Sequence, residues 1–199
     1  MFEVISLSKS KPRSIVLLHG LFTGPGFWLP YLKHFSDYNI VLIDINYSLM
    51  PDVADFLPEL SQKIKKISET KDLVAIISHS LGTFLSALLG ENLSKRNIHI
   101  CPIYISERQC PDQFAQFISA RDKAYSADDV LLVLRKVDEF VRKNMERLKE
   151  VEVLSTFLLI PDQDPFFRYI TDSLDVSFFP GDHFEIDKAL LKLKVDGDI

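Results

Sequence analysis

The chain has 199 residues, of which 47% are hydrophobic and 26% are charged, so it has the length for one well-buried domain rather than two. Its net charge of −5 excludes the basic face that nucleic-acid phosphates demand, so we expect no nucleic-acid partner. The composition therefore predicts a single globular domain over residues 1–199.

The sequence carries no membrane, disulfide or metal signal. No apolar run approaches the roughly 20 residues that span a bilayer, and the opening residues have no signal-peptide core, so we expect a cytoplasmic protein without a membrane span. The two cysteines, Cys101 and Cys110, offer no framework of paired spacing and are expected to be reduced thiols. No cluster of Cys, His and carboxylates has metal-ligand spacing, so no metal site is expected.

The first predicted unit is a strand, a loop and a helix. The continuous apolar run 14–19 predicts a strand buried in a parallel sheet. Three glycines and a proline within residues 20–26 predict a loop, and helical apolar spacing resumes over 28–35. This loop has neither the G-x-x-x-x-G-K nor the G-x-G-x-x-G pattern in the required setting, so it predicts no phosphate site.

The second unit is again a strand and a helix. Residues 39–45 form another continuous apolar run and predict a buried strand. Met50-Pro51-Asp52 then leads into a helical stretch that extends to Thr70 and has one apolar side. Because proline removes an intrahelical hydrogen bond, Pro58 is expected to interrupt or restart this helix.

The stretch 73–89, LVAIISHSLGTFLSALL, predicts a strand, a sharp turn and a helix. Such a turn holds a serine, here Ser80, at the carboxyl end of the strand and the amino end of the helix. The usual pattern is G-x-S-x-G because strand and helix nearly touch, and this chain has Ser78 and Gly82 at the two small positions. The Cβ of Ser78 prevents a backbone conformation open only to glycine. A serine that merely caps the helix is the alternative interpretation.

The middle of the chain predicts mainly helix. The apolar run 98–106 predicts a strand, and two helices are expected around 113–120 and 127–149, the second beginning after Ser126. The longer helix has one apolar side and a charged exterior, as in a packing helix. The alternative interpretation makes 107–155 a helical lid insertion above Ser80, with a basic side that could contact an acidic carrier protein.

The last strands and a closing helix complete the pattern. Apolar runs at 156–160 and 176–179 predict strands, and the apolar residues of 189–193 predict a final helix. Strands that alternate with helices in this way imply an α/β fold with a doubly wound, mostly parallel sheet.

Ser80 needs a base to act as a nucleophile, and His183 is the best-placed histidine. It follows the last predicted strand, and the carboxyl ends of parallel strands converge on the ligand crevice of such sheets. The other four histidines lie in the sharp turn of residues 78–82, hereafter the elbow, in predicted strands or in a helix: His19, His34, His79 and His99. An exposed loop histidine without a role is the alternative interpretation of His183.

The base needs an acid partner, and the loop after the predicted strand 156–160 offers Asp162 and Asp164. We favour Asp164 because it lies a few residues beyond the strand end, directly before a residue that turns the chain. Asp162 is the second candidate, and an ordinary Asp-Pro turn is the alternative without chemistry.

Four motifs in this order resemble the α/β-hydrolase superfamily. They are LLHGLF at 17–22, SHSLG at 78–82, PDQDPF at 161–166 and GDHF at 181–184. The resemblance extends over most of the chain, and the order Ser, Asp, His agrees with that of the superfamily. It implies an α/β-hydrolase fold with a doubly wound, mostly parallel sheet and a small helical lid.

The resemblance implies a role for each of five residues. Ser80 is the nucleophile, His183 is the general base and then the general acid, and Asp164 orients it. The backbone N–H groups of Leu21 and Leu81 form the oxyanion hole. No cofactor is implied.

Within the superfamily the chain is similar to small carboxylesterases and acyl thioesterases. These include carrier-directed thioesterases and the esterases that cleave the methyl ester of a carrier-bound pimeloyl group in biotin synthesis. The resemblance thus implies a small acyl ester or thioester substrate and, in some members, an acyl carrier protein as partner. Ser78 and the lack of a glycine-rich segment after Asp44 depart from the superfamily, so a catalytically silent binding protein is the alternative expectation.

Overall fold

The computed structural model describes residues 2–7, 10–47, 53–89, 93–150, 156–171 and 174–195. The strands within these residues are β1 (Phe2–Ser6), β2 (Arg13–Leu18), β3 (Asn39–Ile45), β4 (Asp72–His79), β5 (Arg96–Ile100), β6 (Ser106–Arg108), β7 (Thr156–Pro161), β8 (Phe167–Tyr169) and β9 (Val176–Phe179). The α-helices are α1 (Val53–Thr70), α2 (Leu81–Leu88), α3 (Pro111–Arg121), α4 (Ala127–Glu150) and α5 (Asp187–Val195). Helices of the 3-10 type, which have three residues per turn, occupy Pro25–Phe35 and Ile103–Ile105.

Seven of the strands form one sheet in the order β1-β3-β2-β4-β5-β7-β9. Every neighbouring pair is parallel except β1 and β3, which are antiparallel. Because both faces of a parallel sheet are covered, its central strands are apolar along their length, and residues 15–18 of β2 are fully buried. The prediction of a mostly parallel sheet is therefore confirmed.

Helices cover both faces of this sheet, as the prediction of a doubly wound fold requires. On one face, Ile15 of β2 packs in a cluster with Trp28 of the first 3-10 helix and Leu190 of α5. On the other face, Val16 belongs to a cluster with side chains of α1, α2 and α4, among them Phe84. Side chains alternate between the two faces along a strand, so one strand contributes to both layers. None of the described helices has both the length and the apolar character needed to cross a membrane.

The strand predicted at 98–106 ends early in the structure. β5 stops at Ile100, Cys101 has a φ of 55°, and Pro102 leads into the second 3-10 helix. A proline has no N–H for a sheet ladder, which explains why the apolar residues beyond it leave the sheet. Residues 106–108 instead form β6, which pairs with β8 in a separate two-stranded ribbon.

The two N-terminal helices also differ from expectation. α1 runs through Pro58 without a break, so the predicted interruption is wrong. Proline removes a single intrahelical hydrogen bond, and the buried side chain of Leu60 holds the following turn against the sheet. The helix predicted at 28–35 is a 3-10 helix that contains Pro30. The predicted lead-in at Met50-Pro51-Asp52 lies outside the described residues.

Two helices between β6 and β7 occur as predicted. α4 begins after Ser126, whose hydroxyl accepts the Asp129 N–H at 3.1 Å, while the Asp129 carboxylate accepts the Ser126 N–H at 3.1 Å. This reciprocal pair satisfies backbone donors at the helix start. α3 packs against α4. The predicted lid segment 107–155 contains both helices, and its last residues, 151–155, lie outside the described part of the chain.

Candidate active site

Ser80 lies at a strained turn between β4 and α2. Its φ of 51° is positive, which non-glycine residues rarely adopt, and its N–H donates to the Ile100 carbonyl at 3.0 Å. A Cβ added to Gly82 would lie 2.6 Å from the His19 carbonyl oxygen, so a residue without a Cβ is needed for α2 to pack this closely. The Ser80 side chain makes no capping hydrogen bond to α2, in contrast to the alternative interpretation of this serine.

Ser78 occupies the position where the usual elbow pattern has glycine. It is fully buried, and its hydroxyl donates to the Ile98 carbonyl of the neighbouring strand at 3.3 Å. The described non-glycine residues with a positive φ are Phe22, Ser80 and Cys101, so the backbone of Ser78 is ordinary strand. Serine therefore fits this position without strain, and its buried hydroxyl is satisfied.

Ser80, His183 and Asp164 come together in the structure. The Nε2 atom of His183 lies 2.9 Å from the Ser80 Oγ, and its Nδ1 atom lies 3.1 Å from the Asp164 Oδ2. These distances fit a hydroxyl that donates to the imidazole and an imidazole N–H that donates to the carboxylate. Asp162 is placed elsewhere, since its carboxylate accepts the Gly181 N–H at 3.2 Å. Of the two acids considered from the sequence, Asp164 is the one in contact with His183.

The Asp164 carboxylate is held by four donors. Its Oδ1 accepts the N–H groups of Phe166 and Phe167 at 2.9 and 3.0 Å. Its Oδ2 accepts the Tyr169 hydroxyl at 2.8 Å in addition to His183. Burial tends to raise the pKa of Asp164, but its hydrogen bonds and the charge of the imidazole hold that pKa below its usual value. Asp164 is therefore an ionised acceptor at neutral pH.

Two buried side chains anchor the loop that carries His183. The His183 carbonyl accepts the Nε2–H of His79 at 2.7 Å and faces the Cys101 thiol at 3.8 Å. The ring of His79 also stacks on Phe27, with the centroids 4.3 Å apart. Burial and the nearby ring of His183 lower the pKa of His79 well below its ordinary value. The ring of His79 therefore stays neutral and donates through Nε2.

His79, Cys101 and Tyr169 are parts of this site that sequence reasoning missed. The position of His79 next to Ser80 predicts that it is not the base. Its ring contacts the backbone carbonyl of His183 rather than the Ser80 hydroxyl. The available signal is that His79 and Cys101 stand at the carboxyl ends of neighbouring strands. Tyr169 carries no such signal because the short strand β8 is not predicted.

The remaining histidines have other partners. His19 is buried, contacts backbone groups at both ring nitrogens, and has its pKa lowered by that burial. His34 lies 2.9 Å from the Asp187 carboxylate, and His99 lies 2.7 Å from the Tyr104 hydroxyl. Among the residues that the structure describes, no group of three or more His, Cys, Asp or Glu side chains is arranged to hold a metal ion.

Leu21 and Leu81, predicted as oxyanion donors, both lie near Ser80. Leu81 follows Ser80 and is the first residue of α2, so its N–H has no partner within the helix. Leu21 follows Gly20, where an added Cβ would lie 3.3 Å from the Ser80 Oγ. The Thr23 hydroxyl donates to the Gly20 carbonyl at 2.8 Å and holds this loop, residues 20–24, which is called the oxyanion loop hereafter because of the role predicted for Leu21.

A cavity of about 430 Å³ opens beside the oxyanion loop. Its walls combine apolar, polar and acidic groups: His19, Leu21, Phe22, Thr23, Gly24, Asp44, Ile45, Asn46, Tyr47, Asp122, Tyr125 and Val133. Asp122 and Tyr125 come from the connection between α3 and α4, and the Tyr125 ring meets the Phe22 ring at 5.3 Å. Ser80 and His183 are only 8% and 2% exposed, so both side chains are buried.

No protein-family model matches this chain, and no curated protein matches it. Solved structures do match. The thioesterase domain SrfTE, which cyclises the lipopeptide antibiotic surfactin, is 13% identical, with a TM-score of 0.60 over 98% of this chain and 96% of its own. A metagenome-derived lipolytic enzyme of the LipS and LipT pair is 11% identical, with a TM-score of 0.64 over 98% of this chain and 96% of its own.

A third structure is the α/β-hydrolase enzyme MGS-MChE2, from the metagenome of sediments of the Mar Chica lagoon in Morocco. It is 13% identical, with a TM-score of 0.64 over 99% of this chain and 93% of its own. These likenesses extend over nearly the whole chain, and the mostly parallel seven-stranded sheet with its helices agrees with them. The chain therefore has the α/β-hydrolase fold, as its four motifs predict.

Proposed function

We propose that this protein is a serine hydrolase that cleaves a carboxylic ester or thioester through an acyl-enzyme on Ser80. One observation carries the proposal: Ser80 Oγ lies 2.9 Å from His183 Nε2, and His183 Nδ1 lies 3.1 Å from Asp164. In this proposal Ser80 is the nucleophile, His183 the base and Asp164 the acid that orients it. The α/β-hydrolase fold, shared with a thioesterase and a lipolytic enzyme, supports the same class of reaction.

The proposed reaction begins when His183 Nε2 takes the hydroxyl proton as the Ser80 Oγ attacks the acyl carbonyl carbon. The carbonyl oxygen becomes anionic and accepts the N–H groups of Leu21 and Leu81, each such donor lowering the barrier by about 3 kcal/mol. His183 then gives its proton to the departing alcohol or thiol, and the acyl group stays on Ser80. Water attacks the acyl-enzyme by the same steps, which releases the carboxylic acid and restores the serine. Ionised Asp164 stabilises the imidazolium in both halves.

In this proposal the cavity beside the oxyanion loop binds the acyl or alcohol part of the substrate. Its volume of about 430 Å³ is that of a small-molecule site. Segment 107–155 acts as the lid. Its Tyr125 ring contacts Phe22 of the oxyanion loop, and its Phe117 ring lies 5.3 Å from Phe184, the neighbour of the base. The lid therefore contacts both sides of the site.

The acyl chain and the leaving group form the finer part of the proposal. The sequence resemblance includes enzymes that act on a carrier-bound acyl group, such as a pimeloyl methyl ester in biotin synthesis, and carrier-directed thioesterases are the alternative. Exposed basic residues of α4, Arg135 and Lys136, offer contacts to an acidic carrier, although acidic residues alternate with them. These cases can be separated by measuring kcat/KM for the methyl ester and for the thioester of one acyl group. Each substrate is tested both as a free compound and attached to a carrier protein.

Removing the nucleophile tests the proposed reaction. Ser80→Ala should abolish both the turnover of p-nitrophenyl esters and labelling by a fluorophosphonate, because no hydroxyl remains to be acylated. Ser86→Ala is the matched control, since Ser86 is a buried serine of α2 whose hydroxyl has no hydrogen-bond partner among the described residues. This control should retain both activities. Labelling that persists in Ser80→Ala would exclude Ser80 as the nucleophile.

A catalytically silent binding protein is the other outcome of this test. It would be favoured by a folded wild-type protein that neither reacts with serine-directed probes nor hydrolyses any ester or thioester of the panel. Circular dichroism and a cooperative thermal transition establish that the protein used is folded.

A further inference from the structure

We propose that Tyr169 is a positioning residue that sets the proton affinity of the base by sharing a carboxylate oxygen of Asp164 with it. The inference rests on the proposed function of Asp164 and His183 and adds a fourth side chain to it. The Tyr169 hydroxyl lies 2.8 Å from the Asp164 Oδ2 and 3.3 Å from the His183 Nδ1. The hydroxyl, the carboxylate and the imidazole thus lie within hydrogen-bond distance of one another.

The hydroxyl of Tyr169 acts as the donor in this contact. An ionised carboxylate offers only lone pairs, so the O–H must donate to the Asp164 Oδ2. Burial, with the nearby Cys101 and Asp164, raises the pKa of Tyr169 well above its ordinary value, so the hydroxyl keeps its proton. Tyr169 at 2.8 Å and His183 at 3.1 Å therefore donate to the same Asp164 oxygen, and the bond from the tyrosine is the shorter of the two.

The backbone holds Tyr169 in this position. It is the last residue of β8, where it pairs with Ser106 of β6, and the following N–H, of Ile170, donates to the Ile105 carbonyl at 2.7 Å. The ribbon of β6 and β8 lies outside the main sheet. Its contribution to the site is to place this hydroxyl beside the contact between Asp164 and His183.

Removing the hydroxyl should strengthen the interaction between the acid and the base. A carboxylate oxygen shared with a second donor offers less negative charge to an imidazolium than an unshared oxygen does. Tyr169→Phe makes His183 the single side-chain donor to Oδ2, which favours the protonated ring. The substitution does not alter the other titratable groups near the His183 ring and its loop, which are Asp164, His79, Cys101 and Asp182. It also leaves two nearby cations unchanged, since the guanidinium of Arg108 lies over the Phe167 ring and that of Arg121 over the Phe184 ring.

The imidazole of His183 can be titrated by NMR in the intact protein, whether or not a substrate is turned over. Its signal is assigned by its loss in His183→Gln. In Tyr169→Phe the titration midpoint should move to higher pH, and the acid limb of kcat/KM should move with it. The matched control is Tyr104→Phe, which removes a tyrosine hydroxyl that contacts His99 instead, and it should leave the midpoint unchanged.

The outcomes separate this proposal from the proposed function. An unchanged or lowered midpoint in Tyr169→Phe overturns the role of Tyr169 even if the protein is an active hydrolase. A raised midpoint in a protein that hydrolyses no ester supports the role of Tyr169 while the proposed function fails. If Tyr169→Phe does not fold, 3-fluorotyrosine incorporated into the wild type is the second measurement. A fluorinated phenol is a stronger donor, so the midpoint should fall, and a midpoint that does not fall overturns the proposal.

Discussion

The His183 imidazole lies 2.9 Å from the Ser80 hydroxyl although the two residues are 103 positions apart in the chain. The sheet explains this contact. Ser80 follows β4 and His183 follows β9, and both strands belong to the parallel part of one sheet, so their carboxyl ends face the same edge. The final approach depends on backbone packing around the elbow, where strand, loop and helix leave no room for added side-chain atoms.

Gly20 should not tolerate a side chain. A Cβ there would lie 2.7 Å from the Ser80 Cβ and 3.1 Å from the His79 Nδ1, so alanine must displace the elbow. We expect Gly20→Ala to lower kcat/KM at least roughly 100-fold, which is the usual effect of misplacing reacting groups by about 1 Å. Gly26→Ala is the control, because an added Cβ there meets no atom within 4 Å. Equal kcat/KM values for the two variants would contradict the close packing at Gly20.

Three buried histidines should make the protein less stable in mild acid. Burial lowers the pKa values of His19, His79 and His99, in the last case to about 3. As the pH falls below about 6.5, the unfolded chain binds protons at these rings and the folded chain does not. The free energy of unfolding is therefore highest above that pH and falls below it, by up to about 1.4 kcal/mol per pH unit for each ring. Urea denaturation at a series of pH values measures this slope.

One of these rings can be isolated with a matched pair of variants. Glutamine does not titrate, so His99→Gln should reduce the slope between about pH 5 and 6.5 by up to about 1.4 kcal/mol per pH unit. Tyr104→Phe removes the same contact between Tyr104 and His99 but keeps the imidazole, so it should keep the slope of the wild type. If His99→Gln also keeps that slope, the folded protein does not hold His99 as a buried neutral ring.

The cavity beside the oxyanion loop should discriminate against anionic substrates. Among its described lining residues, Asp44 and Asp122 bring carboxylates, and no Lys or Arg is present. We expect p-nitrophenyl butyrate to react roughly 3- to 30-fold faster than p-nitrophenyl hemisuccinate, which carries a carboxylate, at low ionic strength. The double variant Asp44→Asn and Asp122→Asn should bring the ratio of the two kcat/KM values closer to one.

A carboxylate outside the cavity provides the control for that comparison. Asp138 is exposed and pairs with Arg108 at 2.9 Å, so Asp138→Asn removes the same charge at a distance from the cavity. It should leave the ratio of the two kcat/KM values unchanged, and raising the salt concentration should reduce the ratio in the wild type. A ratio that the double variant does not alter would show that these carboxylates do not select the substrate.

The main sheet could be predicted from the sequence because strands buried on both faces are continuous apolar runs. That signal located β2, β3 and β4 in the order in which they occur. It did not locate β1, whose exposed and half-buried residues Phe2–Ser6 lie at the antiparallel edge of the sheet. It also missed β6 and β8, which are three residues long each and are defined by their mutual pairing rather than by their own composition.

The residues brought together at the site could be predicted from their order and their places after predicted strands. That reasoning selects Ser80, Asp164 and His183, and the structure puts them in contact. The side chains that hold them could not be found in this way. The bond between the His79 ring and the His183 carbonyl joins residues 104 positions apart, and the place of Tyr169 depends on a ribbon with no local signal.

Mass spectrometry of a fluorophosphonate adduct tests the proposed chemistry most directly. The folded wild-type protein is labelled and digested, and the modified residue is mapped. We predict a single adduct on Ser80 and labelling at least roughly 100-fold slower in His183→Gln, because the hydroxyl then has no base. An adduct on another residue, or equal labelling rates for the wild type and His183→Gln, would contradict the proposed roles of Ser80 and His183.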